Sequence, residues 1–172
     1  MASVLNPVQG PSSSIACSRK HKSRLILGEG NFTYVEALLK KHKAKHPNLG
    51  EAITATEYDL GCLERNKERI EALRKEGVYI PDVPVDATQI SYQFSQRRFE
   101  RIHWNCPFLG TTTEERSRLR NQVLPRFFQS ASEMQEPGDR IHVALAQEKD
   151  LSSGRSFPYR YERQGEYGIV RA

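Results

Sequence analysis

Cysteine is scarce in this sequence. Cys17, Cys62 and Cys106 are three among 172 residues, odd in number and far apart, so they build neither a disulfide framework nor a Cys-x-x-Cys metal pair. That usage fits a reducing, intracellular compartment. No stretch approaches the roughly 18 apolar residues of a membrane helix, and Met1-Ala-Ser-Val-Leu-Asn-Pro7 lacks the charged and apolar regions of a secretory signal. The five histidines have no metal-ligand spacing. His42 and His46 lie four apart, but in a lysine-rich stretch that reads as solvated surface, and no metal is expected. Internal repeats are absent. Lys plus Arg is 26 against 21 Asp plus Glu, a net charge of +5, which permits a polyanionic partner without requiring one.

The residues that are present group into periodic apolar blocks despite a mean hydropathy of −0.67, which excludes wholesale disorder. Residues 1–24 read as a tail, with Pro7, Gly10, Pro11, three serines and a basic block from Arg19 to Arg24. From Leu25 strand and helix alternate. Leu25-Ile26-Leu27 predicts a buried strand, and Phe32, Val35, Leu38 and Leu39 predict a helix over 33–43. Residues 53–56 are the second strand. Leu60, Leu63, Ile70 and Leu73 form the stripe of a helix that Gly77 stops, with Glu71 and Lys75 on its wet side. Residues 78–80, before Pro81 and Pro84, are a weak third strand and 101–104 a fourth. A helical segment follows over 113–135, which Pro125 is expected to kink or split. Residues 141–145 are the fifth strand. Tyr159-Arg160-Tyr161 and Tyr167 to Val170 flank Gln164-Gly165 as a candidate hairpin. The pattern predicts a single α/β domain over 25–172, a three-layer sandwich with a mostly parallel sheet.

Four blocks at strand ends carry candidate chemistry. Gly28-Glu29-Gly30-Asn31-Phe32 sits between a strand and a helix, where glycines admit close backbone approach and the helix start offers free N–H groups. Thr33 stands where a dinucleotide fingerprint wants Gly or Ala, and there is no Gly-Lys-Ser/Thr of a P-loop. A nucleotide-like ligand without a pyrophosphate fits such a loop; so does a plain tight turn. Glu57-Tyr58-Asp59 ends the second strand, where an acid accepts from ribose hydroxyls; Glu57 and Asp59 fall on one side of an extended chain, and Asp59 can also N-cap the next helix. Val85-Asp86-Ala87-Thr88 offers a carboxylate to an adenine amine, or a turn residue. Asn105-Cys106-Pro107-Phe108 is a variant of the Asn-x-Pro-aromatic motif of methyltransferases acting on base nitrogens, where the Asn oxygen accepts from the target N–H and the aromatic ring stacks on the base. The alternative is a proline loop with Phe108 packed inward. Cys106 has no positioned base to make it a nucleophile. Basic clusters at 19–24, 40–45, Arg97-Arg98-Arg101 and Arg116-Arg118-Arg120 are phosphate contacts or ordinary solvated faces.

In order, Leu25 to Phe32, Thr54 to Asp59, Val85 to Thr88, Ile102 to Pro107, Asn121 to Ala131 and Glu136 to Val143 resemble one family, the ribosomal-RNA uridine-N3 methyltransferase-like domain. The resemblance covers roughly residues 22–146 and is most specific at Gly28-Glu29-Gly30-Asn31-Phe32. It implies a class I Rossmann-like fold binding S-adenosyl-L-methionine along the strand ends. Gly28, Glu29 and Gly30 would lie against the methionine portion, Glu57 or Asp59 would hold the ribose, Asp86 would face the adenine, and Asn105 and Pro107 would border the transferred methyl and the base. Two features depart from the family. It commonly carries Asn-Phe-Pro-His where this chain has Cys106 and Phe108. Its domain also continues past the fifth strand with a helix and two strands, so part of the carboxyl-terminal edge is expected to be missing or rebuilt. The reading is a methyltransferase of ribosomal RNA, bound through its basic patches, cytoplasmic or nucleolar. Set beside it are a non-catalytic RNA- or protein-binding module and a small-molecule methyltransferase.

Overall fold

The computed structural model describes residues 21–95, 97–107, 109 and 112–145. Most of the amino-terminal tail, Phe108 and the candidate hairpin near Gln164 lie outside the described residues. Four strands, β1 (Arg24–Leu27), β2 (Ile53–Ala55), β3 (Arg101–Asn105) and β4 (Arg140–Ala144), form one sheet in the order β2-β1-β3-β4, with every pair parallel. The expected third strand reduces to a single parallel bridge between Tyr79 and Thr54. The Tyr79 amide donates to Ile53 O and its carbonyl accepts from Ala55 N, both at 3.0 Å. Pro81, with no N–H, cannot supply the next rung.

Helices cover both faces, as a parallel sheet requires. Leu25, Leu27, Ile102 and Trp104 project to one face, under α4 (Ile90–Gln93) and α6 (Leu124–Ser132), where Ile90, Phe94, Leu124, Phe127 and Ala131 bury. Ile26, Ile53 and Ala55 project to the other and meet Val35 of α1 (Thr33–His42), Leu63 of α2 (Leu60–Arg65) and Ile70 and Leu73 of α3 (Lys67–Lys75). The three-layer α/β sandwich is therefore as expected, and α1 ends one residue before its predicted limit.

Three local expectations are corrected. The single helix over Leu60 to Leu73 is two, because Asn66 leaves helical geometry at φ −108, ψ 19; its side chain donates back to the Cys62 carbonyl at 2.8 Å. Leu60 is 51% exposed rather than part of the buried stripe. Near Pro125 the expected helix is interrupted by a π-helical stretch rather than by a loop. α5 (Thr113–Arg118) runs through a π-helical stretch, Leu119–Val123, into α6 with Pro125 in its first turn. The wider π turn takes up the missing N–H that would otherwise break the ladder.

Candidate functional site

The loop after β1 alternates left-handed residues. Gly28 (φ 64), Gly30 (φ 62) and Phe32 (φ 61) have positive φ. For Phe32 that conformation costs about 1–2 kcal/mol, which is offset by complete burial of the ring, a gain of about 1.5–3 kcal/mol. Asn31 lies just before α1, its Oδ1 accepting from Thr33 N at 3.2 Å and from Thr33 Oγ1 at 2.7 Å. The loop carbonyls are tied to the helical layer: Asn66 Nδ2 donates to Gly30 O at 3.3 Å and Arg69 to Asn31 O at 2.8 Å. Neither tether is visible as a local motif, since both depend on how α2 and α3 lie against the loop.

Two carboxylates are buried at the carboxyl ends of β1 and β2. Glu57, after β2, is wholly engaged with backbone. Oε1 accepts from Tyr58 N at 2.8 Å and Asp59 N at 3.0 Å, and Oε2 accepts from Gly30 N. Glu29 is turned inward from the loop, with Oε2 accepting from Val35 N at 3.2 Å in the first turn of α1. Its Oε1 is buried without a hydrogen-bond partner among the described residues. Burial is the main cause that raises the Glu29 carboxyl to about 7; the Val35 N–H opposes the rise, the nearby Glu57 adds to it, and the Asn105 side chain opposes it again.

Glu57 and Asp59 do not share a face as the extended-chain reading expected. Asp59 is 59% exposed and N-caps α2, its Oδ1 accepting from Gly61 N at 2.8 Å. That bond, with the Cys62 thiol, holds its carboxyl below the usual range. Between them the Tyr58 ring is 67% exposed. Asp86 is a turn residue. Its Oδ1 accepts from Thr88 N and Oγ1, both at 2.8 Å, and its own N–H donates to Gln93 Oε1 at 2.9 Å. The segment is nonetheless at the site, because Val85 N donates to the Glu57 carbonyl at 2.9 Å; Ala87 packs on the core beneath.

Asn105 ends β3 opposite Ala144 of β4, with Nδ2 buried and without a hydrogen-bond partner among the described residues. Cys106 has φ 49, its N–H donates to Ala144 O at 2.9 Å, and burial raises its thiol, which makes it a poor nucleophile. Pro107 is buried. Gly28, Glu29, Gly30, Glu57 and Asn105 therefore converge on one sheet edge, with Tyr58, Asp59, Asp86 and Ala87 along its β2 side.

The basic clusters separate into different environments. Arg97 lies over aromatic rings, 5.0 Å from the centre of Phe99, and donates to Thr54 Oγ1 at 3.2 Å. Arg98 pairs with Glu136 and Asp139. Arg101 instead joins a row the linear sequence hides: Arg24, Arg101 and Arg140 are register partners across β1, β3 and β4. Arg24 and Arg101 have no carboxylate partner among the described residues, and each has a buried Nε without an acceptor. Two residues further along β3 and β4, the rings of His103 and His142 stack at 4.8 Å. Burial, then His142, Arg24 and Arg101, lower His103 to about 3.

Among solved structures, TrmN from Thermus thermophilus superposes with a TM-score of 0.52 at 17% identity, covering 72% of this chain and 33% of that one. The glycopeptide N-methyltransferase MtfA superposes with a TM-score of 0.53 at 16% identity, covering 75% and 48%. These likenesses establish the Rossmann-like fold. In sequence, the chain is 30% identical over 127 residues to the ferredoxin-fold anticodon-binding domain-containing protein 1 homolog of Mus musculus and 27% identical over 132 residues to its Homo sapiens counterpart. Each match covers 70% of this chain and 19% of the relative, so the chain spans about a fifth of their length. Residues 25–164, most of the chain and all of the sheet edge just described, match the rRNA (uridine-N3-)-methyltransferase BTM5-like family, and the chain belongs to that family.

Proposed function

We propose that this chain is an S-adenosyl-L-methionine-dependent methyltransferase unit acting on a base nitrogen of ribosomal RNA, with uridine N3 as the target. The observation that carries the reading is the meeting, at the ends of β1, β2 and β3, of a left-handed glycine loop, two buried carboxylates and Asn105 beside Pro107. The residues fit the cofactor. Among the described residues nothing lies within 4 Å of where a side chain on Gly30 would stand, so a ligand can approach the backbone there. The carboxylates favour a cationic ligand.

In this reading the backbone of Gly28, Glu29 and Gly30 meets the methionine portion, with Asn31 and Phe32 fixing the turn. Asp59, the exposed acid, takes the ribose hydroxyls, while Glu57 holds the loop in shape. The Tyr58 ring stacks on the adenine, near Asp86 and Ala87. The bound cofactor supplies an electrophilic methyl group on its sulfonium. The chain's part is alignment and charge placement: Asn105 accepts a hydrogen bond from the target base, and Pro107 borders it. Arg24 and Arg101, which open β1 and β3 at the end of the sheet away from the site edge, offer positive charge to RNA phosphates distant from the target base.

The test is transfer of tritiated methyl from S-adenosyl-L-methionine to RNA, followed by digestion to nucleosides. Label in 3-methyluridine is the expected result. Cofactor binding with label in no RNA, or only in a small-molecule fraction, would replace this reading with one of its rivals.

A further inference from the structure

Glu29 and Asn105 leave adjacent strands side by side, since β1 and β3 pair as far as Leu27 with Trp104. Each holds one buried polar atom that completes no hydrogen bond among the described residues: Oε1 of Glu29 and Nδ2 of Asn105. The other carboxylate oxygen is fixed by Val35 N–H, so Oε1 is the atom left to meet a donor from β3. A carboxylate only accepts, and of the two ends of an amide only the nitrogen donates. Two buried orphans of complementary polarity at one spot each relieve the desolvation cost of the other.

We infer that Glu29 is a positioning residue whose Oε1 holds the Asn105 amide nitrogen, so that Asn105 turns its carbonyl oxygen, a pure acceptor, toward the base. The inference rests on the proposed function for its substrate and adds a rule of selection. Such a site favours a ring nitrogen that carries a proton, as in uridine N3, over one that presents a lone pair, as in cytidine N3. The charge balance agrees: the Asn105 side chain favours the ionised form of Glu29 against burial and the facing Glu57, with the Val35 N–H on the same side of the balance. Once Glu29 takes up a proton its hydroxyl donates, and the amide loses its fixed sense.

The experiment is nuclear magnetic resonance of the full chain with labelled side-chain amides and carboxyls, beside methyl transfer to RNA. The Asn105 side-chain amide is expected to shift with pH at a midpoint near 7, that of Glu29. In Glu29→Gln this shift should vanish, kcat for uridine should fall about tenfold or more with KM for RNA nearly unchanged, and discrimination against cytidine should narrow. In Asn105→Ala, which does not depend on the Glu29 variant folding, the Glu29 carboxyl should titrate at higher pH than in the wild type. An Asn105 amide indifferent to pH, a Glu29 titration unmoved by Asn105→Ala, or a Glu29→Gln enzyme with wild-type kcat and pH profile would overturn the inference. If the amide titrates as expected while the wild type methylates no RNA, the pairing stands and the functional reading falls.

Discussion

The indole nitrogen of Trp104 stands 3.2 Å from the point where a side-chain carbon on Gly28 would be placed. Gly28 also has φ +64, whereas Gly30, at φ +62, meets nothing within 4 Å of the same point among the described residues. Gly30→Ala should therefore cost only its conformational strain, about 1–2 kcal/mol, and Gly28→Ala should cost about 1–3 kcal/mol more by overpacking against Trp104. Trp104 is the single tryptophan of the sequence, so urea unfolding followed by its fluorescence measures both. Equal midpoints for the two variants would contradict this packing.

Glu57 accepts from the backbone of Gly30, Tyr58 and Asp59, joining the loop after β1 to the end of β2. Glu57→Ala strands three donors. A decrease of at least about 1.5–3 kcal/mol in unfolding free energy is expected, with faster amide hydrogen exchange at Gly30 and Asp59. Unchanged exchange at Gly30 would remove Glu57 from this structural role.

The pH dependence of stability separates Glu29 from His103. Burial raises Glu29 from 4.5 to about 7, so between those values the folded state holds more protons and stability falls as pH rises. Burial lowers His103 from 6.5 to about 3, so between those values the unfolded state holds more protons and stability falls as pH drops. Each effect is on the order of 3–5 kcal/mol at full extent, and they oppose one another across the overlap of the two windows. Relative to the wild type, Glu29→Gln should lose stability on acidification from pH 7 toward 4.5, and His103→Gln should gain it. Denaturant midpoints measured across this range decide; parallel curves for all three proteins would contradict both assignments.

RNA affinity should fall steeply with salt. Removing one phosphate-binding cation should lower the slope of log affinity against log salt by about 1. Arg24→Gln with Arg101→Gln takes away the two guanidinium groups that lack carboxylate partners among the described residues. A change at Arg98, already paired with Asp139, should leave the slope alone. Equal slopes in the wild type and the double variant would put the RNA elsewhere on the molecule.

What the sequence made legible was local and periodic. The run Leu25-Ile26-Leu27, the spacing of Val35 and the cluster of glycines after β1 each report their own backbone, so β1, α1 and the loop between them were readable. The strand-end blocks fall together on one sheet edge for the same reason. Long-range pairing was not readable. Glu57 looked like a ligand acid, yet its oxygens are used on backbone N–H groups, one of them 27 positions away. Arg97, Arg98 and Arg101 looked like one patch and have three different surroundings. Pro125 was read as a break because its effect depends on the turn before it, and the π-helical stretch has no signature in residue spacing. The Arg24-Arg101-Arg140 row exists only through strand register.

Calorimetric titration of the purified chain with S-adenosyl-L-methionine, repeated with Asp59→Asn and Asn105→Ala, tests the central claim most directly. The account predicts saturable binding at one site, a weakening of about 1.5–3 kcal/mol with Asp59→Asn through the charge-assisted ribose hydrogen bonds, and wild-type affinity in Asn105→Ala, which should fail only in methyl transfer. Absence of binding by the folded wild-type chain would contradict it.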